Sequence, residues 1–479
     1  MDVDEMLITV NPDSNDGFRR EARMCRIAFA GMLGLVMGLM ACHTPGNAEP
    51  DDRAPPEESG DLSAQVEWSE PVDVATGNAY RGPWRMNESD FHYVDDPAVA
   101  FGPDGSLLVV WVDNEAQDVF FQRYGADGDL RLPQATNISE SSDVFSWLPR
   151  VASSPVDDDV VYAVWQEIVF SGGSHGGEIF FAKSTDGGRN FEGPVNLSET
   201  IAGAGKGRLT ADRWNNGSLD IVVDDDAELY VAWTEYEGAL RFRRSSDGAE
   251  TFDEPIHVAG TAEEPARAPS LAVGNGDRLY LAWAVGEDDT SDIELAVSTD
   301  DGASFEQRPV PVETDGHSDA PDLAADGDAL YLAYGESPGG RFATYDVWHT
   351  RSFDGGETFE EPARLSEGED FEGEGANFPS MTIDDDGRLF VVWEHYPDPR
   401  QRPVGLGFTS SDDGGETFDD PSIVPGSVGP ELGINGGLQG LLMSKIAVDD
   451  RGSVAVGHST FLEGEESRVR LLRGEWSDQ

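Results

Sequence analysis

Residues 184–191 read Ser-Thr-Asp-Gly-Gly-Arg-Asn-Phe, and their pattern Ser-x-Asp-x-Gly-x-x-Phe recurs along the chain. Serine and aspartate side chains accept hydrogen bonds from nearby backbone N–H groups, and glycine permits a positive φ, so the pattern predicts a tight turn between two strands. One copy carries Ala249 at the glycine position, and a degenerate copy lies near Asp127. The further copies begin at Ser245, Ser298, Ser352 and Ser411. A turn that recurs this often predicts a repeat architecture.

A longer unit surrounds each turn. Upstream of it, a short apolar run follows a segment rich in Asp and Gly, such as residues 224–226. The runs end at Trp111, Trp165, Trp233, Trp283, Tyr334 and Trp393, and a weaker seventh covers residues 454–457. Short apolar strands at regular spacing predict an all-β fold. Seven units over residues 65–479 give about 59 residues each, which suits the four-stranded blades of a β-propeller, with six blades as the alternative count.

The eight-residue pattern resembles the Asp-box repeat of bacterial sialidases and other Asp-box propellers. The resemblance implies a sialidase-like β-propeller in which the box is a structural turn and its Phe packs between neighbouring sheets. Sialidase propellers have six blades, so a count of seven departs from that family. The Asp-rich segments favour plain turns over Ca²⁺ sites, because Asp suits turns on its own account. Ca²⁺ at these turns is the weaker alternative, and we expect no other metal or cofactor.

The last unit lacks a strand that the N-terminal end of the propeller sequence can supply. Residues 444–474 show three strands and no box, whereas Trp68-Ser69-Glu70-Pro71 repeats the aromatic-x-x-Pro signature that follows a box elsewhere. We therefore expect the strand around Trp68 to complete the last blade. Closing the ring in this way removes its open edge.

Residues 1–42 predict an export signal. Residues 27–41 are apolar, follow four arginines between positions 19 and 26, and form a run too short for a comfortable membrane span. The run leads into Leu39-Met40-Ala41-Cys42, which resembles a bacterial lipobox and implies a lipid anchor at Cys42 in the cell envelope. An ordinary signal peptide and a start at Met24 are the alternatives. Residues 43–64, rich in Pro, Gly and acidic residues, predict a disordered tether to the propeller at residues 65–479.

The charge of the chain excludes one class of partner. There are 93 acidic and 32 basic residues, for a net charge of −61. Such a surface repels phosphate backbones, so we expect no nucleic-acid binding. Solvation in a salty habitat, Ca²⁺ binding and a cationic partner remain open as reasons for the acidity. Both cysteines, Cys25 and Cys42, precede the propeller, which therefore has no disulfide framework, and we expect a monomer.

Loops at one end of a propeller channel usually form its binding face, and two sets of residues are expected there. The first set lies at the start of the innermost strands, two residues before a proline: Asp95, Trp147, Arg267, Asp319 and Asn377. The second set follows the Trp or Tyr that ends the next strand: Asp113, Glu167, Glu235, Glu336, Glu394, His395 and His458. The two sets predict a carboxylate-rich mouth with one arginine.

The sialidase resemblance implies specific residues at this mouth. Arg267-Ala268-Pro269 resembles the Arg-Ile-Pro motif of sialidases, whose arginine binds the substrate carboxylate in a bidentate way. It lies in the fourth unit, however, and the matching position of the first unit is Asp95, which would repel a carboxylate.

Sialidases also need a tyrosine nucleophile with a neighbouring carboxylate. Tyr236 beside Glu235, and Tyr345 beside Asp346, are the candidate pairs, and no motif selects either. Because the catalytic pattern is not intact, we expect a module that binds a glycan or a protein. An exo-sialidase-type glycoside hydrolase is the alternative, and a structural surface protein is the second alternative.

Overall fold

The computed structural model describes residues 66–477 except for 84, 86–87, 142–143, 172–173, 199–217, 236–237, 287–290, 312–315, 342, 369–370, 372, 399–401 and 430–443, and it does not describe the side chains of residues 168–177. The chain divides into residues 1–58 and 59–479, and every described residue belongs to the second part. The predicted signal, the tether and Cys42 lie outside the described residues. No helix in the described ranges has the length and apolar character that a membrane span requires.

Among the described residues, six antiparallel sheets of four strands and one of five form a ring, so the predicted seven-bladed β-propeller is confirmed. The first three blades consist of these strands: β5 (Val94–Phe101), β6 (Leu107–Asp113), β7 (Asp118–Tyr124) and β8 (Thr136–Asn137); β9 (Ser146–Ser153), β10 (Val161–Ser171), β11 (Ser174–Ser184) and β12 (Val195–Asn196); β13 (Leu219–Val223), β14 (Leu229–Thr234), β15 (Leu240–Ser245) and β16 (Ile256–Ala259). The Asp-rich residues 224–226 connect β13 to β14, the inner two strands of blade 3.

Blades 4 to 6 repeat the same order from the channel outwards. Their strands are β17 (Ala266–Val273), β18 (Leu279–Val285), β19 (Asp292–Ser298) and β20 (Glu306–Arg308); β21 (His317–Asp326), β22 (Ala329–Ser337), β23 (Asp346–Ser352) and β24 (Ala363–Arg364); β25 (Gly375–Ile383), β26 (Leu389–Tyr396), β27 (Gly405–Ser411) and β28 (Ser422–Ile423). The innermost strands β17, β21 and β25 contact one another in turn and line the channel.

The seventh blade joins the two ends of the propeller sequence. Its C-terminal strands are β29 (Ile446–Val448), β30 (Ser453–Leu462) and β31 (Glu466–Trp476), and its outer strands are β1 (Val66–Trp68) and β2 (Val72–Gly77). Both outer strands pair with β31, because Trp68 faces Gly474 and Val72 faces Leu471. The predicted closure by an N-terminal strand is confirmed. A separate hairpin, β3 (Tyr80–Arg81) and β4 (Phe91–His92), leads from β2 to blade 1.

The recurring eight-residue segments form the predicted turns. In blade 2, Ser184 Oγ accepts the N–H of Gly188 at 2.9 Å and donates to Asp186 Oδ1 at 2.9 Å. Asp186 in turn accepts the backbone N–H of Asn190 at 2.9 Å. The same bonds recur in the segments that begin at Ser245, Ser298, Ser352 and Ser411. Each residue type of the pattern therefore has a structural task.

The phenylalanine of each turn packs between blades. Phe191 of blade 2 lies edge-on to Phe121 of blade 1, with ring centroids 5.4 Å apart. Equivalent pairs join Phe252 to Phe181, Phe305 to Phe242 and Phe418 to His349. In every pair the partner comes from the third strand of the preceding blade. These contacts bury apolar surface at the blade junctions, which is the main source of stability of such a ring.

Candidate functional site at the mouth of the central channel

A bulge before a proline interrupts five of the innermost strands, β5, β9, β17, β21 and β25. The residues that precede the prolines have φ between 50° and 54°: Asp96, Leu148, Ala268, Ala320 and Phe378. Proline disfavours the right-handed helical region for the residue before it, and a bulge supplies the left-handed alternative. Because a bulge adds residues to one strand, side chains on its two sides no longer alternate as in a regular strand.

The residue after the proline therefore lines the channel in three of these strands, as Arg150, Ser270 and Asp322 do. Asp220 of blade 3 joins them around a cavity of about 30 Å³. That space suits only a few water molecules, so a sugar ring does not enter the channel at this level.

Burial dominates the electrostatics of this channel. It raises the pKa of Asp322 to about 7 and that of Asp220 to about 6, and Arg150 opposes both shifts. Burial also lowers the pKa of Lys445, although the carboxylate of Glu394 counters this effect. The channel thus holds carboxylates that ionise near neutral pH, next to two buried cations.

Arg267 and Asp319 meet at the mouth, at the junction between blades 4 and 5. Arg267 Nη1 lies 3.6 Å from Asp319 Oδ2, and Arg267 Nε donates to the carbonyl of Gly286 at 2.8 Å. Arg267 Nη2 makes a longer contact of 3.4 Å with Ser291 Oγ. These contacts hold the guanidinium beside a carboxylate of the next blade.

Tyr345 extends this group towards blade 6. Its hydroxyl lies 2.8 Å from His317 Nδ1 and donates to the carbonyl of Arg341 at 3.1 Å. Burial raises the pKa of Tyr345, the negative charge of Asp319 adds to the shift, and Arg267 opposes it. A Cβ atom on Gly335 would stand 1.9 Å from Asn377 Oδ1 and 3.4 Å from Tyr345 Cδ1, so both side chains border this glycine.

A second group spans blades 6, 7 and 1. Glu394 Oε1 lies 3.3 Å from Lys445 Nζ, which also donates to the carbonyl of Phe378 at 3.2 Å. Burial raises the pKa of Glu394, and the charge of Asp95 adds to the shift, whereas Lys445 opposes it. Asp95 itself accepts a hydrogen bond from Ser459. Glu394 faces Asn377 across adjacent strands, so the second group adjoins the first.

Trp147 and His395, two further predicted site residues, are buried and contact other side chains of the protein. Trp147 is 8% exposed and donates from Nε1 to Asn114 Oδ1 at 3.0 Å. His395 is 6% exposed, with Nε2 2.7 Å from Glu374 Oε2 and its ring edge-on to Phe371. Both side chains pack into the walls of the mouth.

The acidic members of the two candidate nucleophile pairs contact other side chains. Asp346 accepts hydrogen bonds from Ser366 Oγ at 3.2 Å and from Arg364 at 3.4 Å, away from the hydroxyl of Tyr345. Glu235 lies 3.4 Å from Arg241 Nε, a neighbour on β15. Its candidate partner, Tyr236, lies outside the described residues. Among the residues that the structure describes, no group of three or more His, Cys, Asp and Glu side chains is arranged to hold a metal ion.

The residues after the prolines, Arg150 and Asp322, together with Asp220 and Lys445, do not belong to the sets predicted from the sequence. A signal was present, because Pro149-Arg150 and Pro321-Asp322 occupy matching positions of the repeat. The prediction aligned the repeats on their prolines and chose the residues two positions before them. Arg150, Ser270 and Asp322 line the channel from the position after the proline, on the other side of each bulge, whereas Arg267 pairs with Asp319.

No family model and no curated protein matches the chain. Solved structures do match it. The polysaccharide lyase Uly1 superposes with a TM-score of 0.54 at 10% identity, over 86% of this chain and all of that one. A PL25 ulvan lyase bound to -[GlcA(1-4)Rha3S]- gives 0.51 at 13% identity, over 84% and 95%. A Hadza microbial sialidase gives 0.42 at 13% identity, over 70% and 66%. All three are carbohydrate-active propellers, and identities this low show the fold alone.

Proposed function

We propose that this chain is a glycan-binding β-propeller, held at the cell envelope by a lipid on Cys42, whose ligand binds at the mouth between blades 4 and 6. The observation that carries the proposal is the convergence of Arg267, Asp319 and Tyr345 from neighbouring blades on one partly exposed spot. Polar groups that converge beside an aromatic ring are typical of sugar sites.

The charges of the group favour hydroxyl recognition. Asp319 offsets the charge of Arg267, so the pair offers donors and acceptors to a sugar without an unbalanced cation for a carboxylate. Tyr345 adds an aromatic face and a hydroxyl, and Asn377 lies beside the same glycine. A protein with a net charge of −61 also repels acidic glycans at long range. We therefore favour a neutral or basic glycan over a sialoside.

One observation favours an enzyme as the second candidate. The hydroxyl of Tyr345 lies within hydrogen-bond distance of His317 Nδ1 and close to Arg267, an arrangement that suits proton transfer to or from a bound sugar. The related folds of polysaccharide lyases and a sialidase give the two reactions to assay. A hydrolase of the exo-sialidase type would need further arginines at the mouth, and Arg267 is already engaged by Asp319.

A glycan array of neutral, basic and acidic sugars, screened with the protein lacking residues 1–42, tests the proposal. Bound glycans are then titrated against the wild type, Tyr345→Phe and Arg241→Ala. Arg241→Ala is the matched control, because it removes another arginine that pairs with an acidic side chain, Glu235 of blade 3. We expect Tyr345→Phe to weaken binding and Arg241→Ala to leave it unchanged.

Parallel assays for release of a sialic acid and for formation of an unsaturated uronate decide between binding module and enzyme. Turnover that disappears in Tyr345→Phe would replace the binding module with the enzyme. An array without any retained glycan, together with no turnover, would refute both.

A further inference from the structure

The innermost strands of neighbouring blades are joined by hydrogen bonds inside the channel. Asp220 Oδ2 accepts the N–H of Leu271 in the next blade at 2.8 Å. Asp322 Oδ2 accepts the N–H of Met381 in the same way at 2.6 Å. These two bonds join blade 3 to blade 4 and blade 5 to blade 6.

Serines make the equivalent bonds at two other junctions, between blades 4 and 5 and between blades 6 and 7. Ser270 Oγ accepts the N–H of Leu323 at 2.9 Å, and Ser380 Oγ accepts that of Lys445 at 3.1 Å. A neutral hydroxyl is therefore sufficient for this task. The aspartates at two of the four junctions add an ionisable group that the task itself does not need.

The surroundings of the two aspartates decide when they ionise. Asp322 is bonded by Ser270 Oγ at 3.1 Å and interacts with the charges of Asp220, Arg150 and Lys445. Both cations also interact with other buried acids: Arg150 with Asp96, and Lys445 with Glu394. Of the charged residues, Asp220, Asp322 and Arg150 line the cavity of about 30 Å³, so two carboxylates share one cation there. Burial raises the pKa of both aspartates, to about 6 for Asp220 and about 7 for Asp322.

We propose that Asp220 and Asp322 form a pH-responsive latch, which holds the innermost strands of blades 3 to 6 together when protonated and weakens when both carboxylates are charged. The bonds from the N–H groups of Leu271 and Met381 favour the charged carboxylates, but burial, and for Asp322 also the charge of Asp220, outweigh this preference. Protonation removes the burial cost and the repulsion and leaves an oxygen on each group to accept the backbone N–H. Ionisation of both places two like charges across a space that holds only a few waters.

The direction of the pH effect follows from the shifts. A carboxyl whose pKa is higher in the folded than in the unfolded chain binds more protons when folded. Its stabilising effect is complete below the unfolded pKa of about 4 and is lost as the pH rises through about 6 to 7. The latch is therefore closed in mildly acidic and loosened in mildly alkaline solution.

The latch also bears on the mouth, and this part rests on the proposed function. Arg267 and Asp319 lie on the same bulges as Ser270 and Asp322, three residues earlier in each strand. Loosening of the channel bonds would shift these bulges and weaken ligand binding. Asp322 is in this sense a positioning residue, since it lies below the surface to which a glycan has access.

Thermal unfolding of the wild type, Asp322→Asn, Asp220→Asn and Ser380→Ala at about pH 5 and pH 8 tests the latch. Asparagine keeps an acceptor for the backbone N–H but cannot ionise. We expect Asp322→Asn to raise the melting temperature relative to wild type by roughly 3 °C at the higher pH and to have little effect at the lower one. Ser380→Ala is the matched control at a serine junction, and its effect should be the same at both pH values.

Hydrogen exchange of residues 375–383 in the wild type provides a readout that requires no variant. After correction for the intrinsic rate, the amide of Met381 should lose protection as the pH rises through about 7. Equal effects of Asp322→Asn at both pH values, or pH-independent protection of Met381, would overturn the latch. Neither measurement uses a glycan, so failure of the proposed function would leave these results interpretable.

Discussion

Arg267 of blade 4 and Asp319 of blade 5 form an ion pair at the mouth of the channel, with Nη1 3.6 Å from Oδ2. The arginine that resembles the carboxylate-binding residue of sialidases therefore already faces a carboxylate of its own chain. A ligand at this spot meets a balanced pair rather than a lone cation, which favours hydroxyl groups over a second carboxylate.

The ion pair predicts a measurable coupling. Arg267→Ala leaves the mostly buried carboxylate of Asp319 without its cation, and it should cost about 1–3 kcal/mol in the free energy of unfolding. Arg267→Ala with Asp319→Asn should recover part of that loss, because the uncompensated charge is gone. Denaturant unfolding of the wild type, both single variants and the double variant measures the coupling. Strictly additive losses would show that the two side chains do not interact.

Cys42 predicts the mode of anchoring. Cys42→Ser removes the thiol that carries the lipid in the lipobox reading, so the variant should leave the membrane fraction or accumulate unprocessed. Fractionation and labelling with a radioactive fatty acid measure both outcomes. Cys25→Ser serves as the control, since it removes the other cysteine and should change neither. Membrane association and labelling that persist in Cys42→Ser would contradict the lipoprotein prediction.

The closure of the ring predicts a large effect of a short deletion. Val66 is 2% exposed within the last blade, and the ring of Trp68 lies edge-on to Phe408 at 5.2 Å. Removal of residues 65–77 would expose β31 and should cost several kcal/mol, as the loss of a packed strand does. Removal of residues 59–64 is the control and should leave the melting temperature unchanged. Similar melting of both truncated proteins would argue that β1 and β2 contribute little.

Substitutions at the glycine position of the turn should change stability in opposite directions in blades 2 and 3. A Cβ at Gly188 would stand 1.9 Å from Phe121 Cε1, and φ is 85° there, so Gly188→Ala should destabilise by more than about 2 kcal/mol. Ala249 holds the same position in blade 3 with φ 67°, and Ala249→Gly should stabilise by up to about 1 kcal/mol by relieving the backbone. Gly193→Ala, with open space around the new Cβ, is the control. Denaturant unfolding ranks the three variants, and equal effects at positions 188 and 193 would contradict the packing argument.

The turn aspartates predict loss of stability in acid. Hydrogen bonds from the side chain and backbone of Thr358 lower the pKa of Asp354 to about 2. A lowered pKa stabilises the folded state above the unfolded pKa of about 4, and this effect disappears as the pH falls through about 2. Melting curves of the wild type and Asp354→Asn should therefore differ at neutral pH and converge in acid. Asp385→Asn, at an exposed aspartate between β25 and β26, is the control and should leave the melting curves unchanged at both pH values. A constant difference for Asp354→Asn would contradict the assignment.

The local sequence alone predicts the repeat and the order of its strands. Ser184 and Asp186 bond within four residues of themselves, so residue types alone predict that turn. The apolar runs that end in Trp or Tyr mark one inner strand per blade, and counting them predicts seven blades. The unpaired signature at Trp68 predicts the closure, because the last unit is one strand short.

The tertiary structure alone decided which side chains face the channel and which charges meet. Asp322 lines the channel because a bulge at Ala320 breaks the alternation of side chains, and a sequence pattern based on regular strands does not contain that bulge. The ionic partners of Arg267 and Lys445 come from neighbouring blades, and the pKa of Asp322 depends on burial in a ring of seven sheets. Local residue types determine turns and strands through short-range bonds, whereas burial and charge pairing depend on distances between residues far apart in the chain.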